Sequence, residues 1–398
     1  MSELRTRDVV ESDLPAVLTI RSRSFGPLGS GGDTWWQRVS AETLGGRMIA
    51  VVDETDTILG AGRIRPFEQA WGGRHLRMGG VAGVYVEPSA RGRGVATTLT
   101  RALITRMGEL GDVVSCLFPT TATLYRRSGY EIGGTQTRST YAGHHLRALG
   151  ALGALGALPG GDATVRSATP DDAAALHALA REAQTRHAVS GPMLPSAERL
   201  ADELGRGELT SYVVDDGFVV YDLSQEALTV EQLVAGSPAT AATLWGVVGS
   251  GSSATPTVHT FLDPRDPVAL ALGGLPATEV RQVPWMGRVV DLAAAVAGRG
   301  FAAPLAVYAE LVVDDAEAPA NAGAWHLEVR DGRGTATRTG DQPAGSALHV
   351  GARGLSALWC GWSVSRLRQA GLATGGTADG DAALDAVFAC TPYITEYF

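Results

Sequence analysis

Lysine is missing from this chain: all 33 basic residues are arginine, set against 42 Asp and Glu for a net charge of −9 over 398 residues. Such an acidic balance repels nucleic acid and weakly attracts cationic small molecules, so DNA and RNA binding are disfavoured. GC-rich coding accounts for arginine-only usage alongside abundant alanine and 51 glycines. Cysteine is scarce too. Cys116, Cys360 and Cys390 form an odd, scattered set without metal-ligand spacing, which indicates neither a disulfide framework nor a metal site and leaves them as small core residues. No apolar run reaches the length of a membrane span, and the charged opening MSELRTRDVVESD lacks the apolar stretch of a signal peptide. A soluble cytoplasmic protein with no membrane partner is therefore expected. Neither a Gly-Lys-Ser/Thr phosphate loop nor a G-x-G-x-x-G fingerprint occurs.

What the chain does have is Val84-Tyr85-Val86-Glu87-Pro88-Ser89-Ala90-Arg91-Gly92-Arg93-Gly94-Val95-Ala96. The branched Val84 and Val86 suit a strand, Pro88 and Ser89 break it, and residues 95–108 repeat apolar positions at helical spacing. The amides of Arg91 to Ala96 then gather at a helix N-terminus, where free N–H groups and the helix dipole both favour an anion. Gly92 and Gly94 leave room for close approach, and Arg91 and Arg93 add charge-assisted bonds to phosphate. The segment reads as a pyrophosphate cradle.

The length allows two or three domains, each with its own core. Residues 4–25 read as a strand, a turn at Glu11-Ser12-Asp13 and an amphipathic helix, followed by strands at Met48–Asp53, Ile58–Pro66 and His75–Val86 and another near Asp112–Phe118. The tract ALGALGALGALPGG at 148–161 is a low-complexity connector. Beyond it, RSATPDD at 166–172 and the helix after it echo RDVVESD at 7–13, which suggests an internal duplication. The second copy lacks an Arg/Gln-x-x-Gly-x-Gly/Ala loop, so no cofactor is expected there. A third unit follows from about 285. The chain ends on TPYITEYF with no polar tail, so the terminus is expected to pack.

The spacing Arg91-x-x-Gly94-x-Ala96 after such a strand resembles the acetyl-coenzyme A loop of the GCN5-related N-acetyltransferases (GNAT). Together with LYRRSGYE at 124–131, WMGRVVDLAAAVAGRGF at 285–301 and the aromatic C-terminus, the order of parts resembles the enhanced intracellular survival (Eis) family. That resemblance implies an α+β chain of two tandem GNAT folds, the second degenerate, and a C-terminal sterol-carrier-protein-like domain, at 1–150, 162–292 and 293–398. It implies an acetyl-coenzyme A-dependent N-acetyltransferase acting on primary amines of a small cationic substrate such as an aminoglycoside, polyamine or lysine, and a homo-oligomer, in similar proteins a hexamer. An acetylating enzyme without ε-amines also cannot modify its own side chains.

Residue by residue, the resemblance gives Tyr125 the role of general acid, and a phenol with a pKa near ~10 suits protonation of a departing thiolate. Packing is the plainer reading for Tyr125 and the preferred one for Tyr130. The α-carboxylate of Phe398 takes the place of the base, although an α-carboxyl near ~3.5 is too acidic to deprotonate an ammonium efficiently unless burial raises it or it only orients and relays the proton. The cofactor falls to the backbone around Tyr85, with Val84 and Val86 on the pantetheine arm, to Arg91, Gly92, Arg93, Gly94, Val95 and Ala96 on the pyrophosphate, and to Thr120 near the thioester. Strand-core packing of Val84 and Val86 is compatible with that. For the acceptor, Phe25 and Trp36 correspond to aromatic cleft walls, which suit an ammonium. The chain departs from the family after Phe25, where GPLGSGGD carries no immediate acid, and at its end, where Glu396 falls one place early. Asp33 and Glu396 are the candidate replacements, although a surface carboxylate is by default a solvated charge. The competing class is a non-catalytic acyl-coenzyme A-responsive or lipid-binding protein using the third domain.

Overall fold

The computed structural model describes residues 3–29, 31–146, 164–224, 226–251, 255–263, 265–270, 272, 274–339 and 345–398. The connector read at 148–161 lies outside them. The first unit comprises β1 (Arg5–Asp8), α1 (Leu14–Phe25), α2 (Gly32–Thr43), β2 (Met48–Val52), β3 (Ile58–Trp71), β4 (Arg74–Val86), α3 (Val95–Glu109), β5 (Val114–Leu117), the short α4 (Ala122–Arg127) and β6 (Glu131–Ala142). The second contains β7 (Arg166–Ser167), a helix at Ala173–Arg186, β8 (Met193–Leu194), a helix at Ala197–Arg206, β9 (Thr210–Val214), β10 (Gly217–Leu223), β11 (Leu228–Ala235), a helix at Pro238–Ser250, β12 (Thr257–Thr260), a one-turn helix at Pro267–Leu270 and β13 (Glu279–Val289).

These strands share one sheet, ordered β1-β2-β3-β4-β5-β13-β6-β12-β11-β10-β9-β7, with β8 attached to β3. β13, read from sequence as the entry to the third unit, instead lies between β5 and β6 and pairs antiparallel with both. α3 covers one face of β2–β4 because Val95, Leu99, Leu103, Ile104 and Met107 recur at helical spacing and all are buried. On the other face, α1 and α2 bury Val17, Ile20, Trp36 and Val39.

The third unit is a five-stranded sheet, β16 (Arg333–Arg338), β15 (Gly323–Arg330), β14 (Ala306–Asp314), β17 (Leu348–Gly351) and β18 (Ala373–Gly375) in that order. Leu311, Trp325 and Leu327 pack with Leu358 and Phe388, and the same core continues into Trp71 and Trp285 of the large sheet. The buried Arg288–Asp315 pair, 2.7 Å apart, ties β13 to the segment after β14.

Candidate active site

β4 and β5 run parallel and pair only over Met78–Gly80 with Val114–Cys116. Past Gly80, β4 continues to Val86 paired with β3 alone, so β4 and β5 open like a wedge and one backbone edge of β4 loses its partner. A cleft of about 650 Å³ fills the opening, lined by Phe25, Val84, Val86, Ala90 to Gly92, Gly94 to Thr97, Thr120 and Tyr125.

The loop has the geometry that a pyrophosphate needs. Gly92 and Gly94 have φ of +78° and +87°, and no atom lies within 4 Å of where a Cβ would stand on either. Gly94 is the N-cap of α3 and no side chain caps that end, so the first-turn amides have no intrahelical acceptor. With the unpaired β4 edge, these groups fit a coenzyme A pyrophosphate and arm. Arg91, Gly92, Gly94, Val95, Ala96 and Thr120 all border the cleft. Two residues named with them do not: the Arg93 charge acts on Asp53, and Tyr85 is buried with its ring edge-to-face with Phe25 at 5.6 Å. Sequence reading missed Ser24, whose hydroxyl donates to the Val86 carbonyl at 3.1 Å, and Arg127, which stands inside the LYRRSGYE motif.

Tyr125 sits on α4, a helix too short to hold itself, and the third unit braces it. Glu131 accepts from Arg126 (2.8 Å) on one side and from Arg353 (2.6 Å) on the other, while Ser356 donates to the Gly129 carbonyl at 2.8 Å. Burial works against the Glu131 charge, but the bonds from Arg126, the Ile132 amide and Arg353 outweigh it and hold the carboxyl below its ordinary range. Burial pushes the Tyr125 phenol up to about 12, above the value expected from sequence. The group therefore stays protonated throughout the physiological range. Tyr130 is wholly buried, its hydroxyl 2.8 Å from that of Ser115.

The chain's end returns to this unit. Tyr393 bridges Thr135, Gln136 donates to the Thr395 carbonyl at 2.9 Å, and Tyr397 stacks near Phe118 at 4.6 Å. The Phe398 ring lies 5.3 Å from Phe67 and 5.8 Å from Phe118. It occupies the place where a Gly80 side chain would be, since a Cβ there would come within 2.7 Å of it. Gly80 is the last β4 residue paired with β5, so residue 398 stands at the apex of the wedge whose open end Tyr125 borders.

The acceptor residues named from sequence are not brought together. Phe25 borders the cleft and is half exposed. Trp36 is buried against Val9, Val17 and Tyr85 and does not line the cleft, because α2 turns that face into the core. Asp33 is an exposed carboxylate in the first turn of α2. Glu396 points to a smaller cavity of the second unit, shared with Glu231, Asp266 and Tyr393. Burial raises its carboxyl, and its Oε2 accepts from the Met193 amide at 3.4 Å.

Comparison with known proteins agrees with this architecture. Residues 5–133 and 197–289 each match an acetyltransferase (GNAT) domain family, and residues 292–395 match a sterol carrier protein domain. The crystal structure of a GCN5-related N-acetyltransferase from Kribbella flavida is 40% identical, covering 100% of this chain and 99% of that one at a TM-score of 0.93. At 20% identity and full mutual coverage, a GCN5-related N-acetyltransferase from Anabaena variabilis (TM-score 0.83) and Eis1 from Mycobacterium abscessus (TM-score 0.72) share the fold. No curated protein matches the sequence. The chain belongs to the GCN5-related N-acetyltransferases. It is an acetyltransferase of two GNAT domains and a sterol-carrier-like domain, with acetyl-coenzyme A as co-substrate. Among the described residues, no helix is long and apolar enough to cross a membrane.

Proposed function

We propose that the chain is an N-acetyltransferase of the Eis kind, transferring acetyl to a primary amine of a small acceptor, cationic at its reacting end, by direct attack in a ternary complex. The observation that supports this reading is the wedge itself, with Tyr125 along its cleft and the ring of the last residue, Phe398, packed at Gly80 where the strands part. When bound, acetyl-coenzyme A supplies the thioester carbonyl and a thiolate leaving group. The unpaired β4 edge around Val84 and Val86 offers backbone N–H groups to the oxygen on which charge develops. The Tyr125 Oη keeps a proton within the cleft. A phenol is a weaker acid than a thiol and burial widens the gap, so Tyr125 acts first as a hydrogen-bond donor to the leaving sulfur; the proton it passes as the C–S bond breaks is made good by the one the attacking amine gives up. The Phe398 carboxylate orients the incoming amine and relays its proton. Cys116 plays no covalent part: it is buried within β5 and burial drives its thiol up to about 12.

The test is thiol release from acetyl-coenzyme A with a panel of polyamines, aminoglycosides and lysine peptides. Tyr125→Phe is expected to lower kcat by ~10²-fold, the range of a lost general acid, with calorimetric affinity for acetyl-coenzyme A unchanged. Wild-type turnover in that variant would take the phenol out of the reaction.

A further inference from the structure

Along β3, Arg63, Arg65 and Phe67 alternate onto the face covered by α1 and α2. Arg63 is 4% exposed. Its guanidinium lies over the rings of Trp35 (5.4 Å) and Trp36 (5.9 Å), and no carboxylate forms an ion pair with it among the described residues. Its Nε and Nη1 are buried with no hydrogen-bond partner there. Removing a guanidinium from water without a counter-ion is costly, and burial accordingly lowers its pKa despite the nearby Tyr85 hydroxyl and Glu42.

The position of this cation is informative. Arg63 Nε comes within 3.1 Å of where a Gly83 Cβ would stand, next to the Val84 backbone proposed to hold the reacting end of the cofactor; the Tyr85 hydroxyl comes at least as close to the same point, and the Tyr85 ring packs on Phe25 at the cleft. Two residues along, Arg65 opens onto a second cleft of about 650 Å³, between α2 and the helix Ala197–Arg206. There Glu42 accepts from both Arg65 (3.1 Å) and Arg199 (3.3 Å), Arg199 also pairs with Glu203 (3.0 Å), and the two guanidiniums lie 5.2 and 5.4 Å from the Phe67 ring. The opposite neighbour of Phe67 is Phe398. The cleft itself is balanced, five arginines against five carboxylates, and along the row Arg65 and Arg199 each have a carboxylate partner while Arg63, at the back of the reacting segment, has no ion pair among the described residues.

We propose that Arg63, with Arg65 beside it, receives an anionic end of the acceptor, so that the preferred substrate is a primary amine carrying a carboxylate several bonds from the nitrogen. This rests on the acetyl-transfer reading and narrows it. A diamine or aminoglycoside with no anion would leave Arg63 buried without an ion pair and its Nε and Nη1 unbonded; an amino acid would pair it in the geometry that guanidinium favours.

Two amines of equal length separate the cases, 5-aminopentanoate and pentylamine. In thiol release, wild type is expected to favour the aminopentanoate by at least tenfold in kcat/KM, Arg63→Gln to collapse that ratio, and Arg63→Lys to restore part of it. Equal use of the two amines by wild type, or a ratio that survives Arg63→Gln, overturns the proposal. If neither amine releases thiol, acetyl transfer to small amines fails, and calorimetry on the protein with coenzyme A still decides the carboxylate site. Binding of 5-aminopentanoate at least tenfold tighter than pentylamine upholds it, and equal or undetectable binding refutes it. Should Arg63→Gln not fold, Arg65→Gln and the wild-type ratio decide between the same two outcomes.

Discussion

The two acetyltransferase units carry the same wedge and treat it in opposite ways. In the first, β4 leaves β5 after Gly80; in the second, β11 leaves its parallel partner β12 after Val230. Each splayed strand then leads to a helix. Eight residues, 87–94, join β4 to α3, whereas Gly236 and Ser237 alone join β11 to the helix Pro238–Ser250. The longer turn holds two open glycines and an uncapped helix end. In the shorter one, Ser237 accepts from the Thr240 amide at 3.1 Å, and the Asp216 carboxylate accepts from the Thr240 hydroxyl. An anion of the protein's own thus occupies the place that the first unit leaves for a ligand. The second wedge is reduced to about 70 Å³, with Tyr393, Thr395 and Glu396 along its wall, against about 650 Å³ in the first. Topology is retained in both, and the turn decides which can take a nucleotide. The second wedge instead seats the tail whose last residue reaches the first.

The comparison breaks most visibly at Gly94. An L side chain at φ +87° costs ~1–2 kcal/mol, so Gly94→Val is expected to weaken acetyl-coenzyme A binding about tenfold by calorimetry. Unaltered affinity would mean that the open turn is not the cofactor's seat. At the other helix start, Ser237→Ala removes a cap and should destabilise the protein by ~1 kcal/mol in denaturant unfolding. Acetyl-coenzyme A affinity should stay at the wild-type value, and a loss there would show that the second unit also takes part in cofactor binding.

The first wedge was legible because its signals are local. Val84 and Val86, the Pro88 break and the two glycines each act within one turn of chain, and β4 and α3 fall within a residue of where those signals put them. At Trp36 motif position and helical spacing point different ways, and the buried ring follows the spacing. Trp36, Val39, Ser40 and Thr43 all face inward on α2, a stripe that marks the residue as core. The alternation Arg63-x-Arg65-x-Phe67 was likewise available, yet a charged strand face does not say what covers it. β13 was not readable at all. Its insertion between β5 and β6 depends on pairing across 139 to 175 residues, and register over that distance leaves no local trace.

The subtlest difference between the wedges is electrostatic. Glu231, on the splayed part of β11, has its carboxyl pushed up to about 7, first by burial and then by Asp222, Glu396 and Glu203, and Asp266 shares the same cavity. An unfolded glutamate titrates near ~4.3, so between that value and 7 the folded chain keeps a proton that the unfolded chain has lost. Stability from this group is complete below the lower value and is lost as pH rises through the upper one. Glu231→Gln cannot lose a proton, so its melting temperature should fall less than that of wild type between pH 5 and 7.5. One side of Glu231 is open to solvent, which screens the charge and limits the gap to about 1–2 °C. Parallel curves for the two proteins would show that tail and wedge meet without repulsion, and that the second site is closed by shape alone.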